Sequence, residues 1–149
     1  MASDLDKMAE QLQKQANEGY SEVVIDHAQH PRNVGSMPNA DSYARVTGPC
    51  GDTMEMWLKV RNNRILEATF CTDGCGTTIA CGSLATVLSV GKTIGEALAI
   101  NPDVIVENLG GLPEDSIHCA GLASSTLKKA LIDYMALQRE PWKRAYQKH

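Results

Sequence analysis

The sequence predicts an α+β fold in which a three-stranded antiparallel sheet packs against several helices. Two patterns indicate this class. Residues 54–60 place an aliphatic side chain or Met at every second position, as a half-buried strand does, whereas beyond residue 76 apolar residues recur at helical spacing. With 149 residues and 43% hydrophobic content, the chain is long enough for one domain with its own core.

Three consecutive strands are predicted. Residues 54–61 form the second strand, Asn62-Asn63 favours a hairpin turn, and residues 64–71 return as the third. Residues 42–47 supply the first strand, on the other side of a Pro49-Cys50-Gly51 loop. The result is a small antiparallel sheet.

Helices are predicted both before and after the three strands in the sequence. Pro31 stops a helix over residues 21–29, and residues 31–39, rich in Pro, Gly and Asn, are expected to form a loop. The other helices cover residues 3–18, 77–88, 93–100, 102–109 and 117–138, and the helix after Gly76 is expected to bury one face made of Ile79, Ala80, Ser83, Leu84, Val87 and Leu88. We therefore divide the chain into a peripheral N-terminal helix (1–19), a main domain (20–138) and a flexible C-terminal tail (139–149).

Charge and hydropathy exclude several classes of partner. The net charge of -4 leaves no excess of Lys or Arg for phosphates, which argues against nucleic acid. No apolar run reaches the roughly 18 residues of a membrane span, and the first residues lack the pattern of a secretory signal. We expect a cytoplasmic protein whose partners are other proteins or small ions.

Five Cys, an odd number, in a chain expected to stay in a reducing compartment favour metal binding or thiol chemistry over disulfides. Three of them, Cys50, Cys75 and Cys119, lie at predicted boundaries between elements. Asp52 follows Cys50 by two residues, and His118 directly precedes Cys119. A carboxylate is a hard ligand among soft thiolates, so a site that includes it should release what it binds.

The spacing of these residues leaves two interpretations open. It matches neither the paired Cys-x-x-Cys of zinc ribbons nor the Cys runs of ferredoxins. The residues alone indicate a loop-borne metal or persulfide site, with scattered buried cysteines as the alternative.

Four separate segments resemble the family of IscU, which includes the amino-terminal domain of NifU. The resemblance extends from Tyr20 to about Tyr134. Its segments are Tyr20-Ser21-Glu22-Val23-Val24-Ile25-Asp26-His27 with Pro31-Arg32-Asn33-Val34-Gly35, then Cys50-Gly51-Asp52, Gly74-Cys75-Gly76 with Ile79-Ala80, and Ile117-His118-Cys119 preceded by Leu112-Pro113.

The resemblance implies an IscU/NifU-like fold of the SufE/IscU type and a scaffold that is not itself an enzyme. Such a scaffold receives iron, takes sulfur from a cysteine desulfurase of the IscS/NifS kind, and builds a 2Fe-2S cluster. It passes the cluster to apo iron-sulfur proteins or carriers, and a homodimer around one bridging cluster is an open alternative to a monomer. By the family's pattern Cys50, Asp52, Cys75 and Cys119 bind the cluster, His118 is an alternative ligand, and Cys119 accepts the persulfide, for which an accessible sulfur on a mobile loop is expected.

Two departures from the family pattern stand out. Family members that use a dedicated chaperone carry Leu-Pro-Pro-Val-Lys before Ile-His-Cys, whereas this chain has Glu114, Asp115 and Ser116 after Leu-Pro, which argues against that docking. Cys71 and Cys81 are additional; we interpret Cys81 as core and leave Cys71 open as an auxiliary thiol or a spare ligand.

Competing interpretations remain at several residues. The same Cys and Asp side chains would suit a zinc site. A cysteine phosphatase would need an Arg six residues after Cys119, where this chain has Ser125.

Structural roles are predicted for His27 as a hydrogen-bonded residue, for Met54 and Met56 as packing residues, and for Trp57 as a cross-strand packing residue rather than an exposed anchor.

Overall fold

The computed structural model describes residues 19–140, so the helix predicted over residues 3–18 and the chain beyond residue 140 lie outside it. The predicted α+β class is confirmed. The elements in chain order are α1 Glu22–Gln29, β1 Ser42–Thr47, β2 Thr53–Arg61, β3 Arg64–Thr72, α2 Gly76–Ser89, α3 Ile94–Leu98, α4 Pro102–Asn108, a 3-10 turn Glu114–Ser116, and α5 Ile117–Arg139.

The sheet has the order β1-β2-β3, with both pairs antiparallel. Asn62 and Asn63 both take positive φ, 53° and 63°, as a two-residue hairpin turn requires. Met54 and Met56 of β2 are 0% exposed and pack in the core, as predicted. The period of two in the sequence thus identified the inner face of the sheet correctly.

Trp57 lies on the opposite face of β2. Its ring centroid is 5.4 Å from that of Tyr43, its cross-strand partner in β1, and its side chain is only 7% exposed. The packing interpretation of Trp57 is therefore confirmed.

Helix α2 is buried on more than one face, and here the prediction was partly wrong. Val87, which was assigned to the inner face, is 44% exposed. Ten residues of α2 are nevertheless buried: Thr77, Thr78, Ala80, Cys81, Gly82, Ser83, Leu84, Ala85, Thr86 and Ser89. The helix contacts α1, α5 and β3. Because most of these side chains are small, hydrophobic periodicity did not reveal how many sides of α2 are covered.

A buried polar contact joins α1 to α2. Nδ1 of His27 lies 2.7 Å from Oγ of Ser83, and the same Oγ accepts a hydrogen bond of 2.9 Å from the backbone N–H of Arg32. Burial lowers the pKa of His27, and the charge of Arg32 adds to this. The structural role predicted for His27 is confirmed.

The remaining helices follow their end signals closely. Thr93 and Glu96 form a capping box at α3, which ends at Leu98 rather than Ile100. The side chain of Asn101 caps α4. Helix α5 ends one residue beyond the predicted Gln138, and between residues 19 and 140 no helix is long and apolar enough to cross a membrane.

Candidate functional site

The first site segment is the tight turn between β1 and β2. The N–H of Gly51 donates to the carbonyl of Gly48 over 3.0 Å, and Gly51 has φ +91°, a value that favours glycine. Pro49 occupies the position after Gly48, where its fixed φ suits a turn. Cys50 is consequently held at the exposed tip of this turn.

The second segment joins β3 to α2. Cys75 is the N-cap residue of α2 and is exposed. The backbone N–H of Thr78 is the main cause of the lowered pKa of the Cys75 thiol, the N–H of Thr77 adds to it, and burial opposes both. Both amides belong to the first turn of α2, where N–H groups without a partner in the helix favour the thiolate form of a nearby cysteine.

The third segment is the start of α5. Cys119 lies in the first turn of this helix and is only 2% exposed, with Nε2 of His118 3.6 Å from its sulfur. Burial raises the pKa of the Cys119 thiol, a hydrogen bond from Thr78 opposes this, and the charges of Cys75 and Cys50 add to the rise. The expectation of an accessible sulfur on a mobile loop is thus not met in this conformation.

The three segments meet around the hydroxyl of Thr78. Its Oγ1 is 3.3 Å from Oδ2 of Asp52, 3.3 Å from Sγ of Cys119 and 3.8 Å from Sγ of Cys75. The structure therefore brings Asp52, Cys75 and Cys119 to one point. Cys50 lies at the rim, near enough for its charge to act on Cys119.

These donors are not yet arranged around a single ion. Within residues 19–140, no three His, Cys, Asp or Glu side chains stand close enough together to hold one metal ion. Cys75 and Cys119 both lie at a helix N-terminus, and neither α2 nor α5 carries an acidic residue in its own first turn, although Glu114 and Asp115 lie in the turn directly before α5.

Hydrogen bonds tie the Asp52 segment to the Cys75 segment. The N–H of Thr53 donates to Oδ1 of Asp73 over 2.7 Å, and the hydroxyl of Thr72 donates to the carbonyl of Thr53 over 2.7 Å. The N–H of Gly74 in turn donates to the Thr72 hydroxyl over 3.1 Å. These bonds link the start of β2, next to Asp52, to the end of β3 and the turn that precedes Cys75.

Two open grooves flank the site. One, of about 250 Å³, lies beside Cys75 and is lined by Tyr20, Val24, Ile25, Ala28, Gly76 and Thr77 as well. The other, of about 390 Å³, lies beside His118 and includes Pro49 and Gly121. Partner side chains can therefore approach the site from either side.

In the described part of the chain, the side chains of the other two cysteines make no hydrogen bond to the Thr78 hydroxyl. Cys81 is fully buried in α2, and its burial raises the pKa of the thiol, which confirms the core assignment. Cys71 is half-buried on β3 and lines a shallow groove with Arg45, Glu55 and Asp73. Sequence reasoning missed Thr78, although its position three residues after Cys75 in a helix was a usable signal.

The fold is that of a known family. Residues 19–141 match the family described as NifU-like N terminal domain, and the chain belongs to that family.

Particular relatives agree with this assignment. The chain is 48% identical over 116 residues to iron-sulfur cluster assembly scaffold protein IscU 1 of Archaeoglobus fulgidus, covering 77% of this chain and 76% of the relative. It is 47% identical over 120 residues to iron-sulfur cluster assembly scaffold protein IscU of Escherichia coli, covering 77% and 93%.

Two solved structures share the fold. A nitrogen-fixing NifU-like protein (N-terminal) from Brucella abortus superposes with a TM-score of 0.65 at 18% identity, covering 81% of this chain and 97% of that one. A putative iron-sulfur cluster assembly scaffold protein for the SUF system from Fervidobacterium islandicum gives 0.64 at 22% identity, covering 78% and 98%.

Proposed function

We propose that this chain is a scaffold on which a 2Fe-2S cluster is assembled and then transferred to apo-proteins, with Cys50, Asp52, Cys75 and Cys119 as the ligands. The observation that carries the proposal is the convergence of Asp52, Cys75 and Cys119 on the Thr78 hydroxyl. The names of the IscU relatives support the same function. Iron and sulfur are cargo here, and the chain has no turnover of its own.

Sulfur arrives as a persulfide on a cysteine desulfurase. The Cys119 thiolate attacks the terminal sulfur, a new S–S bond forms at Cys119, and the desulfurase cysteine leaves as a thiolate. Because Cys119 is buried, the first turn of α5 must open toward one of the flanking grooves. Reduction of each transferred sulfur to sulfide takes two electrons from an external dithiol or one-electron donor.

Asp52 and His118 determine how firmly the cluster is held. A carboxylate binds iron less firmly than a fourth thiolate would, so Asp52 keeps the cluster transferable. His118, whose Nε2 lies beside the Cys119 sulfur, is positioned to replace one ligand during release. The recipients are apo iron-sulfur proteins or carriers that approach through the grooves.

Anaerobic reconstitution tests this function. The chain is incubated with ferrous iron, a cysteine desulfurase, cysteine and dithiothreitol, and visible charge-transfer absorption is followed. Wild-type protein should develop the absorption, and Cys50→Ala, Cys75→Ala and Cys119→Ala should each lose it. Cys71→Ala is the matched control, because it removes a thiol from β3 outside the site and should leave the absorption unchanged.

Transfer tests the role of Asp52. Asp52→Ala should retain a coloured cluster and pass it more slowly to an apo-ferredoxin. Tight zinc binding with no coloured species from the wild type would instead favour the alternative of a zinc protein. Desulfurase docking, dimer formation around a bridging cluster and the loss of chaperone docking stay predictions from the sequence, as does the cytoplasmic location.

A further inference from the structure

Thr78 occupies the centre of the site although it is not a ligand in the family pattern. Its side chain is 0% exposed, and its hydroxyl is the common neighbour of Asp52, Cys75 and Cys119. A threonine hydroxyl carries one hydrogen to donate and two lone pairs to accept with. It can therefore donate to only one of these three groups at a time.

The Thr78 side chain has little freedom to leave this position. It stands at the third residue of α2, one turn after the N-cap Cys75. A Cβ at Gly74 would lie 2.6 Å from Cβ and 2.8 Å from Oγ1 of Thr78, so the chain passes directly over this side chain. Gly74 and the helix backbone together hold the hydroxyl between the ligand loops.

We propose that Thr78 is a positioning residue of the assembly site, a role that rests on the proposed function. In the empty site its hydroxyl alternates between Asp52 and Cys119, which keeps both side chains at one point. When iron binds, the hydroxyl donates its single hydrogen to the Cys119 sulfur, and the Asp52 carboxylate is released from it to bind metal. One hydrogen thus couples the carboxylate ligand to the buried thiolate ligand.

The coupling has two measurable consequences. Pre-arranged side chains lose less freedom when a metal binds, and removing an outer hydrogen-bond partner typically lowers metal affinity by about tenfold or more. A hydrogen bond to a ligand sulfur also raises the reduction potential of an iron-sulfur cluster, because it stabilises the more negative reduced state.

The test compares Thr78→Val, which keeps the branched shape and removes the hydroxyl, with Thr78→Ser, which keeps the hydroxyl. Thr126→Val is the matched control, because Thr126 is also 0% exposed and its hydroxyl donates to the carbonyl of Leu122 within α5 rather than to a group of the site. Co²⁺ alone is titrated anaerobically and followed by its thiolate charge-transfer and d–d absorption. The midpoint potential of the reconstituted cluster is measured on the same variants.

We expect Thr78→Val to bind Co²⁺ about tenfold more weakly and to shift the midpoint potential to more negative values. Thr78→Ser and Thr126→Val should behave as wild type. Equal Co²⁺ affinity and potential in Thr78→Val would overturn the inference, as would a Thr78→Ser variant as weak as Thr78→Val, since the methyl packing would then be the cause. If Thr78→Val does not fold, Thr78→Ala carries the same comparison.

The result also separates this inference from the proposed function. An unaffected Thr78→Val in a protein that assembles clusters contradicts only the role of Thr78. A wild-type protein that binds Co²⁺ but forms no cluster from iron and sulfur contradicts the scaffold function. The role of Thr78 in positioning the ligands of a cluster is then contradicted as well.

Discussion

Gly82, in the middle of α2, gives opposite predictions from helix propensity and from packing. Propensity alone predicts that Gly82→Ala stabilises the protein by about 1 kcal/mol. In the structure, however, a Cβ at this position would lie 2.6 and 2.7 Å from two ring carbons of Phe70 and 3.0 Å from Cε of Met54. Both neighbours are fully buried.

The magnitude follows from these two opposing effects. Forcing an extra carbon into a close-packed core costs about 1 to 3 kcal/mol. The gain in helix propensity of about 1 kcal/mol opposes this cost. Phe70 is only 1% exposed, so its ring cannot move aside into solvent. We therefore expect Gly82→Ala to lower the free energy of unfolding by about 1 kcal/mol, and by about 2 kcal/mol at most.

Urea denaturation followed by circular dichroism measures the effect. Gly121→Ala is the matched control, because Gly121 also lies inside a helix, α5, and a Cβ there would meet no atom within 4 Å. That variant should be stabilised by up to about 1 kcal/mol. If Gly82→Ala is stabilised as much as Gly121→Ala, then α2 does not lie as close to β3 as the structure has it. Gly82 is four residues after Thr78, so both residues lie on the same face of α2. The close approach of α2 to β3 at Gly82 therefore also fixes the position of Thr78.

Two further predictions concern pH and thiol reactivity. Burial and the charge of Arg32 lower the pKa of His27 in the folded protein below its ordinary value of 6.5. As the pH falls below about 7, His27 is therefore protonated more readily in the unfolded state than in the folded state. Stability should fall as the pH is lowered from about 7 to about 5.5, and His27→Gln should reduce that fall in urea titrations; an equal fall would contradict this assignment. In native protein treated with iodoacetamide and analysed by mass spectrometry, exposed Cys75 should be alkylated well before buried Cys81 and Cys119. Alkylation of Cys119 at the rate of Cys75 would mean that the start of α5 opens without a partner.

The local signals in the sequence predicted most elements of the fold. Alternation in β2, the Asn62-Asn63 turn and the capping box at Thr93 each depend on residues that are neighbours in the chain, and each is confirmed. The chain length and apolar content likewise predicted one core. The division into residues 1–19, 20–138 and 139–149 stays a prediction.

The candidate site was predicted only as a set of residues. Cys50, Asp52, Cys75 and Cys119 were identified by residue type, flanking glycines and family resemblance. The exposure of these side chains could not be predicted from the sequence, because Cys119 is covered by elements distant from it in the chain. The contact from Thr78 to Cys119, for example, spans 41 positions.

The sequence by itself determined most of the secondary structure, the segments that carry Cys50, Cys75 and Cys119, and the family, since these depend on short-range patterns of side chains. Only the tertiary structure decided that α2 is buried on several sides, that Cys75 is open while Cys119 is covered, and that one threonine hydroxyl stands between them. These properties depend on contacts between segments that are distant in the sequence. The local pattern of one segment therefore does not predict which other segments pack against it.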